Sequence, residues 1–177
     1  MKARSLLSAG CVLAVVLLAA TPAMAGGDSH TFFLELEEPN TAVAANGDTV
    51  AITGEGEFSV FPNSVDAEGD FVHMNRAGTV LATGTWTATG LLTYQSYGCG
   101  VLFGTPIPQE FCGGRVLMAA TLTPTGTTLQ IPAMLTVLCV IGDHVPGSAE
   151  EGVRLNVPSI INFTHATGGD NVYIQIA

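Results

Sequence analysis

Four histidines carry the side chains best suited to acid–base chemistry: His30, His73, His144 and His165. No two of them have the spacing found in compact zinc sites. His73 shares a face with Phe71 in a predicted strand, because alternate residues of a strand point the same way. That position suits a histidine that lines a core or a barrel. It also suits a general base or a ligand contact at a barrel mouth, so His73 is the candidate catalytic residue.

Asp66, Glu68 and Asp70 form the densest group of acidic residues. Carboxylates at alternate positions can supply the oxygen ligands that Ca²⁺ prefers, so these three are the candidate metal ligands. The residues after them lack the rest of an EF-hand loop, and Gly69 is more simply interpreted as a hairpin turn. The pair Glu150-Glu151 is interpreted as a solvated surface. The sequence therefore predicts no metal site and no cofactor.

Other catalytic signatures are missing from the sequence. No Gly-x-Ser-x-Gly motif marks a serine hydrolase. The single lysine is Lys2, so the rest of the chain has no lysine for a Schiff base or a phosphate-binding loop. A carboxylate pair for glycoside hydrolysis stays open, because separation in space decides that chemistry and the sequence selects no pair.

The N-terminal residues have the layout of a secretory signal peptide. A basic start, Met1-Lys2-Ala3-Arg4, precedes an apolar stretch from Leu6 to Ala20, and Ala23-Met24-Ala25 supplies small residues at a cleavage point. The apolar stretch is short for a transmembrane helix, which needs about 20 residues. A lipoprotein signal at Cys11 is disfavoured because that cysteine precedes most of the apolar stretch. We predict cleavage after Ala25 and a secreted or periplasmic protein of bacterial type.

The mature chain, residues 26–177, is predicted to be one acidic domain. Removing 25 of the 177 residues leaves 152, with three arginines against fifteen acids and a net charge of −12. A chain of this size supports a single core. Its charge excludes nucleic acid as a partner, because phosphate contacts need clustered Lys and Arg. We expect no membrane span in the mature chain, and the oligomeric state stays open.

Three cysteines remain in the mature chain, enough for one disulfide and one free thiol. Exported proteins usually pair their cysteines. Of the three possible pairings we favour Cys99 with Cys112, because both stand beside glycines at the ends of a Pro-containing loop. Such a bridge would stabilise the fold by about 3 kcal/mol. Cys139 lies in an apolar run and is predicted to be a buried side chain, since its spacing to the other cysteines and to His144 fits no compact zinc pattern.

The elements that must position these residues are β-strands. Apolar residues recur with a period of two along the mature chain, and no segment sustains a period of 3.6. Turn signals built from Gly, Pro and Asn separate the runs, so eight to ten strands are expected. The predicted apolar faces are Phe32, Leu34 and Leu36; Val50 and Ile52; Phe58 and Val60; Phe71 and His73; Trp86 and Ala88; Val116, Met118, Ala120 and Leu122; Val153, Leu155 and Val157; and Val172, Ile174 and Ile176.

This pattern predicts an all-β fold: a single-domain antiparallel β-barrel, with a β-sandwich as the alternative. Closure into a barrel would remove the strand edges that so apolar a chain would otherwise expose. An outer-membrane barrel also has about eight alternating strands. It typically carries aromatic girdles and a terminal aromatic residue, and the chain ends Gln175-Ile176-Ala177 instead.

Four segments carry a resemblance to known proteins: Gly84–Ala88, Cys112–Arg115, Leu135–Gly142 and Glu151–Val153. In these the chain resembles a group of small exported bacterial proteins of unassigned function, which lend no catalytic residue. The glycine-punctuated strands are also similar in style to dirigent and allene-oxide-cyclase-like barrels. That similarity implies a barrel that holds an apolar ligand.

Two kinds of function are consistent with the sequence. The first is an exported, non-catalytic barrel that binds a small apolar ligand or a partner protein, or that has a structural role in the envelope. Trp86, Tyr94 and His73 are the candidate ligand contacts in that case. The alternative is a barrel enzyme, of isomerase, cyclase or hydrolase type, that uses His73 or an acid at the barrel mouth as general base.

Overall fold

The computed structural model describes residues 29–177, and these residues form strands and no helix. The predicted signal peptide, with Cys11, lies outside the described residues. Among the residues described, none belongs to a helix long and apolar enough to cross a membrane. The eleven strands are β1 (His30–Ala44), β2 (Thr49–Val60), β3 (Ser64–Met74), β4 (Val80–Cys99), β5 (Val101–Leu102), β6 (Thr105–Pro106), β7 (Phe111–Pro124), β8 (Ile131–Cys139), β9 (Gly152–Val157), β10 (Ile161–Gly168) and β11 (Asn171–Gln175).

Eight of these strands close into an antiparallel ring. Strands β1 to β4 pair in sequence order, β4 pairs with β7, and β7 to β10 again pair in order. The ring closes where Ala42 to Ala44 of β1 pair with Phe163 to Ala166 of β10. The predicted all-β antiparallel fold with barrel closure is thereby confirmed. An eight-stranded ring has an interior just wide enough for side chains to fill.

One end of the barrel has six strands instead of eight, and at this end β3 and β4 no longer pair, because their ladder stops at Glu68 and Thr87. There β11 pairs on one side with Phe32 to Leu36 of β1 and on the other with Phe111 and Cys112 of β7. Strand β11 thus takes the place that β8, β9 and β10 occupy at the other end. Strands β10 and β11 run along the same edge of β1, separated by Gly169 and Asp170. We call the eight-stranded end the wide end and the six-stranded end the narrow end.

The barrel interior is filled by its own side chains. The predicted inward faces of β1, β7 and β9 are almost fully buried, as is that of β2 apart from the half-buried Val60, and the alternation of buried and more exposed residues along them follows the sequence pattern. The largest buried side chains are Trp86, Tyr173, Phe58, Phe163, Leu34, Ile52, Met118, Leu135 and Leu155.

Aromatic rings fill the narrow end. The rings of Phe32 and Phe58 stack with their centroids 4.9 Å apart, and Tyr94 lies 5.0 Å from Phe58. Tyr173 meets Phe58 edge-on at 5.5 Å. Each such pair adds about 0.5–1.5 kcal/mol beyond the area that it buries.

The apolar alternation of β11 does not mark its core face. Tyr173 is fully buried and its hydroxyl donates to the Val137 carbonyl at 2.9 Å, so this side of β11 faces the barrel core. Val172 and Ile174 lie on the opposite side, where Val172 is 6% exposed, and Ile176, the third residue of the predicted apolar face, is 51% exposed. Residues on both sides of this strand are buried, so alternation does not show which side faces the core. The prediction that Val172, Ile174 and Ile176 form the inward face is therefore wrong.

Glycines make room for Trp86 in the middle of the barrel. Gly54, Gly69 and Trp86 are direct neighbours on β2, β3 and β4. The indole lies over the two glycines, and its Nε1 donates to the Thr53 carbonyl at 2.8 Å. The interpretation of Gly69 as a hairpin turn is wrong, because it lies in mid-strand. Its missing side chain provides space for the indole.

We predict that Gly69→Ala destabilises the protein by about 2–3 kcal/mol, because overpacking a filled core displaces its neighbours. A Cβ at this position would lie 2.6 Å from Gly54 Cα and 2.7 Å from Trp86 Nε1. Urea unfolding measures the loss. The matched control is Gly90→Ala in β4, where a Cβ meets nothing within 4 Å. It should change the unfolding free energy by no more than about 0.5 kcal/mol. Equal losses at both positions would contradict this account of Gly69.

Candidate functional site

A short hairpin projects from the narrow end of the barrel. Strands β5 and β6 are joined by Phe103 and Gly104, whose φ angles of 47° and 80° are both positive, as a type I′ turn requires. The disulfide between Cys99 and Cys112 joins the two ends of this segment, and the predicted pairing is confirmed. The disulfide tethers the hairpin to the barrel strands β4 and β7.

The hairpin covers a groove on the outer side of the barrel. The groove lies between the hairpin, the loop after β8 and the outer face of β11, and it encloses about 500 Å³. Apolar side chains make most of its walls, and three carboxylates lie among them. The lining residues are Glu37, Leu102, Phe103, Ile107, Pro108, Phe111, Val140, Ile141, Glu151, Asp170, Asn171 and Val172.

Glu151 is the central polar group of the groove. Its carboxylate accepts hydrogen bonds from the Val140 N–H at 2.7 Å and from the Asn171 N–H at 3.0 Å. Burial raises the pKa of Glu151 to about 7, these hydrogen bonds oppose the rise, and the nearby negative charge of Asp170 adds to it. Glu151 was expected to be solvated like Glu150. It instead ties the loop after β8 to the start of β11.

The other two carboxylates of the groove are Glu37 and Asp170. Glu37 lies in the irregular part of β1 between Leu36 and Asn40, and Asp170 lies between β10 and β11. The Glu37 N–H donates to the Asp170 carbonyl at 3.1 Å, which holds the two residues side by side. Asn40 is fully buried and donates from Nδ2 to the Glu38 carbonyl at 3.0 Å. Because both carboxylates are exposed, they form the wet edge of the groove.

Asn171 lies at the meeting point of β11, β8 and the groove. Only 5% of the residue is exposed, and its Nδ2 donates to the Leu138 carbonyl at 2.9 Å. Its Oδ1 has no hydrogen-bond partner among the described residues. Because this oxygen is itself buried, the acceptors that the groove presents beside its apolar walls are the three carboxylates.

His73 lies at the opposite, wide mouth of the barrel. Its Nε2 is 3.4 Å from Asp48 Oδ2, and its ring meets Phe163 edge-on at 5.4 Å. It lines a second cavity of about 90 Å³ among apolar residues such as Phe71 and Leu155. This cavity is small for any organic ligand. The structure places His73 in a barrel mouth but does not bring it together with the groove carboxylates.

The other candidate ligand contacts, Trp86 and Tyr94, belong to the packed interior. Trp86 is 1% exposed, and the half-buried Tyr94 donates from its hydroxyl to the Gly113 carbonyl at 3.2 Å. Burial raises the pKa of Tyr94. Neither side chain lines the groove or the small cavity. Their contribution is to fill the barrel.

The acids Asp66, Glu68 and Asp70 lie exposed on the outer face of β3. Their direct neighbours on β2 are Glu57, Glu55 and Thr53, so this surface carries like charges side by side. Within residues 29–177, no group of three His, Cys, Asp or Glu side chains has the geometry to hold a metal ion.

Cys139 is a free, fully buried cysteine. Burial, together with the charge of Glu151, raises the pKa of its thiol to about 12. A thiol with so high a pKa is a poor nucleophile. It packs beside the start of β7, with its Sγ 3.5 Å from the Cys112 carbonyl oxygen.

No protein-family model matches the chain, and comparison with curated proteins and with solved structures gives no significant match. No residue role is therefore transferred from a relative. The groove and its carboxylates carry the functional argument.

We predict that the free energy of unfolding falls as pH rises from about 4.5 to about 7. The pKa of Glu151 is near 7 in the folded protein and near its ordinary 4.5 in the unfolded chain, so the folded state binds more protons within that window. Stability is then greatest below the window and is lost through it. The expected loss is about 1–3 kcal/mol, reduced from the full shift because the carboxyl is partly exposed.

Urea unfolding at a series of pH values measures this dependence. Glu151→Gln should flatten it, because the amide does not titrate. Glu38→Gln, which removes an exposed carboxylate, should leave it unchanged. An equally steep dependence in Glu151→Gln would show that other groups cause it.

Proposed function

We propose that the protein is an exported, non-catalytic binding protein that holds a small apolar ligand in the groove between the hairpin and β11. The observation that carries this proposal is a groove of about 500 Å³ with mainly apolar walls. Volumes of this size are typical of small-molecule sites, which combine apolar walls with a few polar groups. Leu102, Phe111 and Val172 supply walls, and Glu151 and Asn171 supply polar groups.

The groove is a better ligand site than the barrel interior. The interior is occupied by Trp86, Phe58 and other buried side chains, and a ligand there would have to displace them. The cavity beside His73 holds only about 90 Å³. A ligand in the groove displaces water from apolar walls, which contributes about 25 cal/mol per Å² of apolar surface covered.

Phe103 supports this proposal from the hairpin side. Its side chain lines the groove and is 84% exposed, the highest value among the large apolar side chains of the described residues. The disulfide and the type I′ turn hold the hairpin in place, so little ordering entropy is lost when a ligand covers the ring. Exposed aromatic side chains on rigid supports are common anchors in binding sites.

An enzyme that uses an acid is the second candidate function. A carboxyl with a pKa of about 7 in an apolar groove is suited to general acid–base catalysis near neutral pH. Both Glu151 oxygens are held by backbone N–H groups, however, so a proton transfer there would compete with two structural hydrogen bonds. The binding function makes no such demand and is the one we favour.

We predict that the protein purified from its own periplasm or medium begins at Gly26. The basic start, the apolar stretch and the Ala-x-Ala site support cleavage there, and the disulfide is the kind of bond that an oxidising compartment sustains. Its mass should be lighter by two hydrogen atoms than that of the reduced chain, and one thiol should be alkylated after denaturation. An intact N-terminus, or three free thiols, would contradict export.

We predict that the neutral fluorescent probe N-phenyl-1-naphthylamine binds the mature protein and that Phe103→Asn weakens binding about tenfold. A tenfold loss corresponds to about 1.4 kcal/mol, a reasonable contribution from one aromatic wall. Asparagine tolerates positive φ and precedes glycine in favoured type I′ turns, so the hairpin should be preserved. Fluorescence titration measures the affinity.

The matched control is Phe61→Asn. Phe61 is also exposed, at 62%, and also has a positive φ, but it lies in the turn between β2 and β3 and does not line the groove. The Phe61→Asn variant should bind the probe with the same affinity as the native protein. Equal weakening in both variants would place the probe on exposed aromatic surface in general and would sink the groove as the ligand site.

A further inference from the structure

The charges around the groove all have one sign. Glu37, Glu151 and Asp170 line it, and no lysine, arginine or histidine is among its lining residues. Glu37 and Asp170 are exposed and held side by side, while Glu151 is half-buried against the apolar wall. A ligand in this groove therefore meets a negative potential that no positive side chain of the lining offsets.

The uncharged part of the lining also favours a positively charged ligand. Phe103 and Phe111 are aromatic residues of the lining, and the faces of aromatic rings attract cations. Acceptors and aromatic faces are thus present, and cationic groups to pair with an anion are absent from the lining.

We propose that the ligand of this groove is a hydrophobic organic cation, such as an amine or a quaternary onium compound with an apolar body. This inference rests on the proposed binding function and names the chemical class of its ligand. The apolar body lies against Leu102, Phe103 and Phe111, and the positive charge lies toward Glu37 and Asp170 at the open edge. A cation at this edge keeps partial contact with water, which lowers the cost of desolvation.

An apolar anion such as a fatty acid is disfavoured by the same geometry. Its carboxylate would be a fourth negative group in a groove without a positive side chain. Like charges within one groove repel each other, and the low dielectric of an apolar wall strengthens the repulsion. A bare metal ion is also disfavoured, because no group of three ligating side chains in residues 29–177 is arranged to hold one.

The test compares tetraphenylphosphonium with tetraphenylborate, two ions of nearly the same shape and opposite charge. Each is used to displace N-phenyl-1-naphthylamine from the mature protein at pH 8 and low salt. Tetraphenylphosphonium should compete at a concentration at least tenfold lower. Equal competition, or stronger competition by tetraphenylborate, would overturn the proposal.

Paired variants separate a local effect from the overall charge of the protein. Glu37→Gln with Asp170→Asn removes two carboxylates from the groove, and Asp66→Asn with Glu68→Gln removes two from the outer face of β3. The first pair should reduce the preference for the phosphonium ion at least fivefold, and the second should leave it unchanged. Equal reductions would show a general attraction to an acidic protein and would overturn the proposal. All four side chains are exposed, so both double variants should fold.

The same measurements distinguish failure of the proposed binding function from failure of the proposed cationic ligand. Binding of the neutral probe that depends on Phe103, without any preference between the two ions, would retain the proposed function and reject the cationic ligand. Failure of the neutral probe and of both ions to bind in a Phe103-dependent way would reject both. A preference for the phosphonium ion that also rises from pH 5.5 to pH 8 in the native protein, and not in Glu151→Gln, would support the proposal by assigning part of the charge to Glu151.

Discussion

The structure depends on how eight strands become six. Where β8 ends at Cys139 and β9 begins at Gly152, the neighbours of β7 and β1 change to β11, and the ladder of backbone hydrogen bonds is interrupted. Backbone N–H groups at such a break need acceptors, because a buried unpaired donor destabilises a fold. Glu151 supplies two acceptors from one side chain, to Val140 and to Asn171. Together with the Asn171 amide on the Leu138 carbonyl, it joins the ends of three strands that do not pair there.

The two ends of the barrel are packed differently because of this change. At the narrow end, Phe32, Phe58 and Tyr173 meet in a compact cluster of aromatic rings. Midway along the barrel, Trp86 extends over glycines on two neighbouring strands, and Phe71 and Phe163 lie near the wide mouth beside His73. The outer face of β11 also has to be covered, because Val172 and Ile174 point away from the core. The hairpin and the loop after β8 cover it incompletely, and the uncovered space is the groove.

Much of the barrel can be predicted from the sequence. The insertion of β11 where β8 and β9 stop pairing cannot. Alternation with period two is a local property, so the inward residues of β1, β2, β7 and β9 and the all-β class can be predicted. The Cys99–Cys112 pairing is also predictable, since both cysteines flank one short loop. The roles of Glu151 and Tyr173 depend instead on β11 inserting between β1 and β7, which lie about 140 and about 60 residues away in the chain, respectively. No local pattern distinguishes Glu151 from its exposed neighbour Glu150. The sequence clue that was available is that β11 is apolar on both faces, through Val172 and Ile174 on one side and Tyr173 on the other.

The position of Glu151 would couple the stability of the barrel to occupation of the groove by the proposed ligand. The ionised carboxylate is the better acceptor for two N–H groups, yet burial and the charge of Asp170 favour its protonated form. A positive charge bound in the groove would stabilise the ionised form and so strengthen the hydrogen bonds that join β8, β9 and β11. By linkage, a ligand that binds only the folded protein also raises its stability. One carboxylate thus connects the break between β8, β9 and β11 with the surface that the proposed ligand would cover. A barrel filled by its own side chains can in this way still respond to a ligand bound on its outer surface.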